Sequence, residues 1–235
     1  MLDNNSTSAA QFSSVLSYVK SGFVEYIWFV PEPGRIPQIA GYELCMKKYG
    51  HAHTWMAFID VDEFIVLKAP FAFSNIKNVL CRYKNEAGVT LNWMSFDSSG
   101  HVKRPQGGVL ANYRRCQPTT TVKSIIKPRY ALYPRNAHQF VFQYGYNAVD
   151  VSHHHTDNFQ NPDPQLLGNA SLLTEYKYLF DIMHINHYHG KSREDYARKK
   201  TRGDVFYKNA AKYNNVDAYA NITYSHDCEL LVMPK

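Results

Sequence analysis

Long apolar runs are missing from this sequence. No window approaches the roughly 18 consecutive apolar residues of a membrane-spanning helix, and the first residues, Met-Leu-Asp-Asn-Asn-Ser, are too polar for a secretory signal peptide. The sequence as given therefore predicts a soluble chain. A hydrophobic content of 45% over 235 residues is enough for a packed core, and we expect a single domain spanning residues 1–235.

Cysteine is scarce, and its spacing excludes two classes of protein. The four cysteines lie far apart and form no Cys-x-x-Cys pair, which argues against zinc-finger and thioredoxin-type chemistry. Whether any of them form disulfides is left open. Asn-x-Ser/Thr triplets occur at Asn4, Asn5, Asn169 and Asn221, and they matter only if the chain enters a secretory compartment.

Acidic residues are absent between Ser98 and Val149. That segment holds eight basic residues, namely Lys103, Arg104, Arg114, Arg115, Lys123, Lys127, Arg129 and Arg135. A field of this sign attracts anions, although a solvated basic face is the simpler alternative. No nucleic-acid-binding motif accompanies the charge, so we expect no nucleic-acid partner.

A pair of aspartates follows the uncharged, strand-like run from Trp55 to Ile59. Asp60 and Asp62 are two residues apart on an extended backbone, so we expect them to point to the same side, at a strand end of the kind where open α/β sheets bind ligands. Carboxylate oxygens suit Mg²⁺ or Mn²⁺, which are usually shared with nucleotide phosphates. The pattern predicts a metal-nucleotide site, and two solvated acids at a strand end are the alternative.

Helical and extended patterns alternate through the first hundred residues. Helical periodicity covers residues 12–19, 36–49 and 74–83, with Ser74 as an N-cap, and strand-like runs cover 24–30, 54–61 and 88–96. This alternation predicts an α/β fold with a largely parallel, Rossmann-like sheet and helices on both faces.

Beyond Ser98 the pattern changes to short β-rich runs, at 109–113, 121–127, 138–144 and 180–186. Residues 158–169 are typical of a long loop, and a final helix is expected from about Ser192 to Gly203. We therefore divide the domain into a nucleotide-binding half, 1–97, and a β-rich acceptor-side half, 98–235.

Five linked blocks carry a family resemblance. They are residues 2–7 (LDNNST), 55–64 (WMAFIDVDEF), 91–101 (LNWMSFDSSGH), 122–128 (VKSIIKP) with His138, and 185–192 (INHYHGKS) followed by 199–203. Their order and spacing resemble GT-A glycosyltransferases of family 92 (DUF23) and related family-2-like proteins. The resemblance covers nearly the whole chain.

The resemblance implies a transferase that moves a hexose from a nucleotide sugar, expected to be a UDP-sugar, to a glycan or other hydroxyl acceptor. Mn²⁺ or Mg²⁺ is the implied cofactor, with Asp60, Asp62, His187 and His189 as its predicted ligands. Predicted nucleotide-sugar contacts are Asp3, Asn4, Glu63, Trp93, Ser98, Ser99, Gly100, His101, Lys123, Lys191 and Arg202.

The catalytic base is the least defined role. Asp97 is the predicted base because it lies in the third block, although family members usually have glycine at this position. Glu194 and Asp195, at the start of the last helix, are alternatives with helix capping as their structural role.

The family pattern also implies that a first β-α unit, with part of the nucleotide pocket, precedes residue 1. The full protein is then expected at Golgi or other secretory-pathway membranes, held by a segment absent from this sequence. Two other functions stay open: an inactive remnant or carbohydrate-binding module, and a metal-dependent phosphoester hydrolase.

Overall fold

A computed structural model describes residues 1–4, 9–72, 74–156, 177–202 and 226–228. The helices are α1 (Ala9–Lys20), α2 (Pro37–Tyr49), α3 (Ile76–Leu80), α4 (Val109–Asn112) and α5 (Arg193–Arg202). The strands are β1 (Leu2–Asp3), β2 (Ile27–Trp28), β3 (Met56–Ala57), β4 (Glu63–Leu67), β5 (Gly88–Phe96), β6 (Arg115–Ile126), β7 (Ala131–Pro134), β8 (Phe140–Phe142), β9 (Ala148–Val149), β10 (Met183–His187) and β11 (His226–Asp227).

The largest sheet is built around β5. Its strand order is β11-β6-β5-β10-β4, with β3 added to β6 and β9 added to β5. β5 runs parallel to β10 and β9, whereas its long ladder with β6 and the ladder between β10 and β4 are antiparallel. Separate two-stranded sheets pair β1 with β2 and β7 with β8.

The main core lies on one face of this sheet. Val89 and Leu91 of β5, Ile125 of β6 and Ile185 of β10 are buried there together with Val79 of α3. Each such side chain stabilises the fold by about 1.5–3 kcal/mol when it leaves water. The β-branched residues that make these runs strand-like in the sequence are therefore the residues that hold the sheet to α3.

A disulfide fastens the last described strand to the sheet. Cys116 of β6 and Cys228, which follows β11, are joined with their Cα atoms 5.8 Å apart. Cys45 and Cys81 are free thiols.

The mixed α/β class is confirmed, and the sheet is mixed in strand direction. The expected parallel arrangement came from the alternation of helices and strands before Ser98, yet β6 and β4 join their neighbours antiparallel. The expected strands at 24–30 and 54–61 are shorter, at 27–28 and 56–57. The expected loop at 158–169 lies outside the described residues.

The prediction of a β-rich run at 109–113 is wrong. Residues 109–112 form helix α4, closed by the backbone N–H of Tyr113, which donates to the carbonyl of Val109. The Asn112 side chain donates to the carbonyls of Gln106 and Gly108, 2.9 Å away in each case. These local bonds outweigh the β propensity of a short apolar run. Within the described ranges, no helix has the length and apolar character needed to cross a membrane.

Candidate active site

The two aspartates lie at a turn that joins β3 to β4. The backbone N–H of Glu63 donates to the carbonyl of Asp60 at 3.0 Å, and Glu63 Oε2 accepts from the backbone N–H of Asp60 at 2.9 Å. The expectation that both aspartates lie on one face of an extended backbone is therefore wrong. Because the chain turns between them, Asp60 and Asp62 have different partners.

Asp60 is held by groups from α2 and β6. Gln38 Nε2 donates to its Oδ1 at 2.6 Å, and Lys123 Nζ donates to its Oδ2 at 3.0 Å. Gln38 and Tyr42 are one helical turn apart on α2 and bond to each other at 2.9 Å. Both carboxylate oxygens of Asp60 are thus already paired with protein donors.

Lys123 is a buried cation beneath the turn. Its side chain is only 1% exposed, and Nζ lies 3.7 Å from Glu63 Oε2 as well as against Asp60. Burial disfavours its charge, but Tyr42, Asp60 and Glu63 outweigh burial and raise the pKa of Lys123. It therefore stays protonated and neutralises carboxylate charge inside the protein.

The Glu63 carboxyl group is fully buried, so its negative charge is disfavoured. Burial raises the pKa of Glu63 to about 7; the charge of Lys123 opposes this shift, and that of Asp60 adds to it. The Glu63 side chain ties the turn together through the backbone of Asp60. Its position suits a supporting role beneath the site better than direct contact with a ligand.

Asp62 faces β10 and the residues after it. Lys191 Nζ lies 3.3 Å from its Oδ2, and His187 Nε2 lies 3.8 Å from its Oδ1. Burial favours the neutral acid, but the interactions with Lys191, His187 and Lys199 together outweigh it and lower the pKa of Asp62. Asp62 is therefore an ionised carboxylate with an imidazole nitrogen close beside it.

Register explains why His187 meets Asp62. His187 pairs with Glu63 across the antiparallel ladder of β10 and β4, and the N–H of Tyr188 donates to the carbonyl of Asp62 at 2.9 Å. The Trp93 ring lies 4.0 Å from the His187 ring. Trp93 occupies the irregularity in the β5–β6 ladder between Asn92 and Met94, and such bulges often redirect side chains beside active sites.

His187 is a neutral imidazole. Burial lowers the pKa of His187 to about 3, and the neighbouring His189 contributes to the shift. A histidine must be neutral to bind a metal ion.

His189 contacts Lys199 of α5, with Nδ1 and Nζ 3.1 Å apart. Across the described ranges, no three His, Cys, Asp or Glu side chains converge closely enough to hold a metal by themselves.

Lys191 reaches Asp62 from a strained backbone. Its φ of 55° lies in the left-handed region, which costs a residue with a side chain of order 1–3 kcal/mol. The next residue begins the α5 cap, where Ser192 Oγ donates to Asp195 Oδ2 at 2.8 Å and accepts from its backbone N–H. Ser192 therefore caps the helix, and the Asp195 carboxylate in the first turn supports that cap, which agrees with the structural role expected for Asp195.

The family is now identified from the sequence as a whole. The family model for glycosyltransferase family 92 matches residues 4–229. This chain belongs to glycosyltransferase family 92. A search of curated proteins found no match. The family-92 protein is thus a glycosyltransferase, an enzyme that joins a sugar from an activated donor to an acceptor.

In this family-92 enzyme the third sequence block forms a turn that bonds to itself. Asp97 Oδ1 accepts from the N–H of Ser99 at 2.6 Å, and Ser99 and Gly100 both have positive φ. The carbonyl of His101 accepts from the N–H of Arg193 at 3.0 Å. The turn therefore anchors the start of α5, and its role in sugar binding, with Ser98 included, stays a prediction.

Three predicted contacts of the family-92 enzyme lie elsewhere in the fold. Asp3 is buried on β1, where it accepts a hydrogen bond from the Tyr26 hydroxyl, and Asn4 follows it. Arg202 is the last residue of α5. Their assignment to the nucleotide sugar stays a prediction.

Sequence reasoning missed Gln38, Tyr42 and His138 as part of the site. Gln38 and Tyr42 reach Asp60 and Lys123 from α2. A pair of polar residues one turn apart on a helix has no sequence pattern that marks it as part of a binding site. His138 lies with its ring 5.3 Å from Trp93. It belongs to the fourth resemblance block, which was the one available signal.

Proposed function

We propose that this family-92 chain is a metal-dependent hexosyltransferase of the GT-A type. It takes a hexose from a UDP-sugar and transfers it to a hydroxyl of a glycan or similar acceptor. The observation that carries the proposal is the pairing of ionised Asp62 with neutral His187 at the junction of β4 and β10.

The donor set of this pair fits Mn²⁺ or Mg²⁺. Asp62 Oδ1 and His187 Nε2 lie 3.8 Å apart, which is too far for a hydrogen bond. One carboxylate and one imidazole satisfy only part of the coordination shell of such an ion, so the remaining positions suit phosphate oxygens and water. Asp60 and His189 stay predicted ligands, but Asp60 is already engaged by Gln38 and Lys123.

The chemistry divides between the ion and the lysines. When bound, the ion neutralises charge that develops on the donor diphosphate as the glycosidic bond breaks. Lys191 and Lys199 lie beside Asp62 and His189, where their ammonium groups attract the same diphosphate. Trp93, packed against His187, limits the freedom of that imidazole.

The general base is proposed at Asp97. The support is its place in the third block, and its hydrogen bond to Ser99 gives it a structural role as well. A secretory-pathway location is also proposed. The disulfide between Cys116 and Cys228 supports it, because disulfides persist in oxidising compartments.

The test is UDP-sugar binding by isothermal titration calorimetry, with Mn²⁺ and then with EDTA. We expect binding only with Mn²⁺, and at least about a hundredfold loss of affinity in Asp62→Ala, because second-shell changes alone cost up to that much. Asp181→Ala removes an exposed aspartate next to β10 and serves as the matched control. Donor binding that survives both EDTA and Asp62→Ala would overturn the metal mechanism.

A further inference from the structure

A cleft lies along the β7–β8 hairpin, and its lining does not include the aspartate turn. We call it the hairpin cleft; it has a volume of about 480 Å³ and is lined in part by Thr90, Gln139, Phe140, Tyr144, Tyr146 and Asn147. Clefts of a few hundred cubic ångströms are the usual size for small-ligand sites. None of these residues is used by the site around Asp62.

A tight turn presents one aromatic ring at the mouth of the hairpin cleft. The N–H of Tyr146 donates to the carbonyl of Gln143 at 3.0 Å, which leaves Tyr144 and Gly145 at the corner. Gly145 has a φ of 81° and open space around its Cα, as a turn of this kind requires. Tyr144 is consequently fully exposed to solvent, an unusual position for a large aromatic ring in a protein of this size.

A second aromatic ring of the cleft lining, two residues further along the chain, is packed against a neighbouring tyrosine. Tyr146 stacks on Tyr130 with centroids 4.0 Å apart and planes 17° apart, and the Arg129 guanidinium covers the Tyr130 ring at 4.4 Å. Because Tyr146 is already ordered, a ligand that contacts it loses little conformational entropy. The two tyrosines therefore form a partly preorganised aromatic surface.

The polar groups of the hairpin cleft are almost all neutral. Arg135 is the one ionisable Lys, Arg, His, Asp or Glu side chain among the described lining residues, and Gln139, Asn147 and Thr90 contribute amides and a hydroxyl. Aromatic faces for apolar C–H groups, surrounded by amides and hydroxyls, are the complement of a neutral sugar ring. A nucleotide or an acidic glycan would need more positive charge than this cleft holds.

The hairpin cleft is linked to the proposed donor site by two neighbouring residues. Ser124 lines the cleft, and Lys123, the residue before it, holds Asp60. His138 contacts Trp93, and Gln139, the residue after it, lines the cleft. The two sites therefore share β6 and the residues just before β8.

We infer that the hairpin cleft binds a neutral oligosaccharide, as an accessory site for the acceptor glycan. The inference rests on the proposed glycosyltransferase function for its biological purpose. Binding of the oligosaccharide itself requires neither donor nor metal, so it is measurable separately from that function.

The experiment probes the whole chain on an array of immobilised neutral and acidic oligosaccharides, in EDTA and without nucleotide. The strongest neutral binder is then titrated in solution against the wild type, Tyr144→Ala and Tyr133→Ala. Tyr133 is half-exposed on β7 and outside the cleft lining, so its variant is the matched control. We expect about tenfold weaker binding by Tyr144→Ala and unchanged binding by Tyr133→Ala.

Three results would overturn the inference. The first is that the wild type binds no neutral glycan, and the second is that the wild type and Tyr144→Ala bind equally well. The third is selective binding of acidic glycans that is lost at high salt, which would indicate an ion pair with Arg135. None of these results would contradict the proposal that donor binding depends on Asp62. Donor binding that persists both in EDTA and in Asp62→Ala, with glycan binding retained, would instead refute the metal mechanism alone.

Discussion

A buried histidine makes the free energy of unfolding of this protein depend on pH. His184 of β10 is 5% exposed, pairs with Val66 of β4, and has its Nε2 3.0 Å from Asn186 Oδ1. Burial lowers the pKa of His184 to about 4, and the positive charge of Lys68 adds to the shift. The ring is therefore neutral in the folded protein at pH 7.

The sign follows from the two pKa values. In the unfolded chain His184 has a pKa near 6.5, so below that pH the unfolded state binds a proton that the folded state does not. The free energy of unfolding therefore has its full value above pH 6.5, where His184 is neutral in both states, and it decreases as the pH falls towards 4. Because a tenfold change in proton affinity is about 1.4 kcal/mol, the loss amounts to about 3 kcal/mol.

The assay is urea unfolding at pH 7.5, 6.5, 5.5 and 4.5. His184→Gln keeps a side-chain N–H that can donate to Asn186 but does not titrate, so we expect its unfolding free energy to fall about 3 kcal/mol less than that of the wild type over this range. His53→Gln changes an exposed histidine and is the control. If wild type and His184→Gln lose stability in parallel, burial does not hold His184 neutral and the reasoning is refuted.

Two further perturbations test the supports of the site. Lys123→Met removes the buried cation between Asp60 and Glu63, so urea unfolding at pH 7.5 should show a free energy of unfolding that is about 3 kcal/mol lower. Lys103→Met alters an exposed lysine and is the control. A loss of stability in Lys123→Met no larger than that in Lys103→Met would contradict this role. Cys228→Ser opens the disulfide and should lower the unfolding free energy by about 3 kcal/mol; Cys81→Ser removes an exposed free thiol and should not, and equal melting temperatures for the two variants would refute the prediction.

Local patterns predicted α1, α2 and the central strand well. The apolar period before Gly22 gives α1, the run closed by Gly50 gives α2, and the uncharged run from Gly88 gives β5 with the predicted bounds. These elements follow from nearest neighbours along the chain, since side-chain period and capping residues are local. Strand direction is not local, because it depends on which strand each ladder joins.

The arrangement of side chains around the two aspartates could not be predicted from the sequence. The spacing of Asp60 and Asp62 suggested one shared face, whereas a turn stabilised by Glu63 separates their side chains. Lys123 was predicted as a phosphate contact, and the structure shows it buried against carboxylates. Distinguishing these roles requires knowing that β6 passes beneath the turn, which a linear sequence does not state.

The alternation of side chains along β6 has a consequence for how this protein can evolve. Lys123 and Ser124 are neighbours that project to opposite faces of the strand, one towards the aspartate turn and the other towards the hairpin cleft. A single-residue insertion or deletion before Lys123 would exchange these two faces along the rest of the strand. Changes at this point of the chain would thus alter both the aspartate turn and the hairpin cleft in one step, whereas a substitution at the exposed Tyr144 corner would leave the aspartate turn intact.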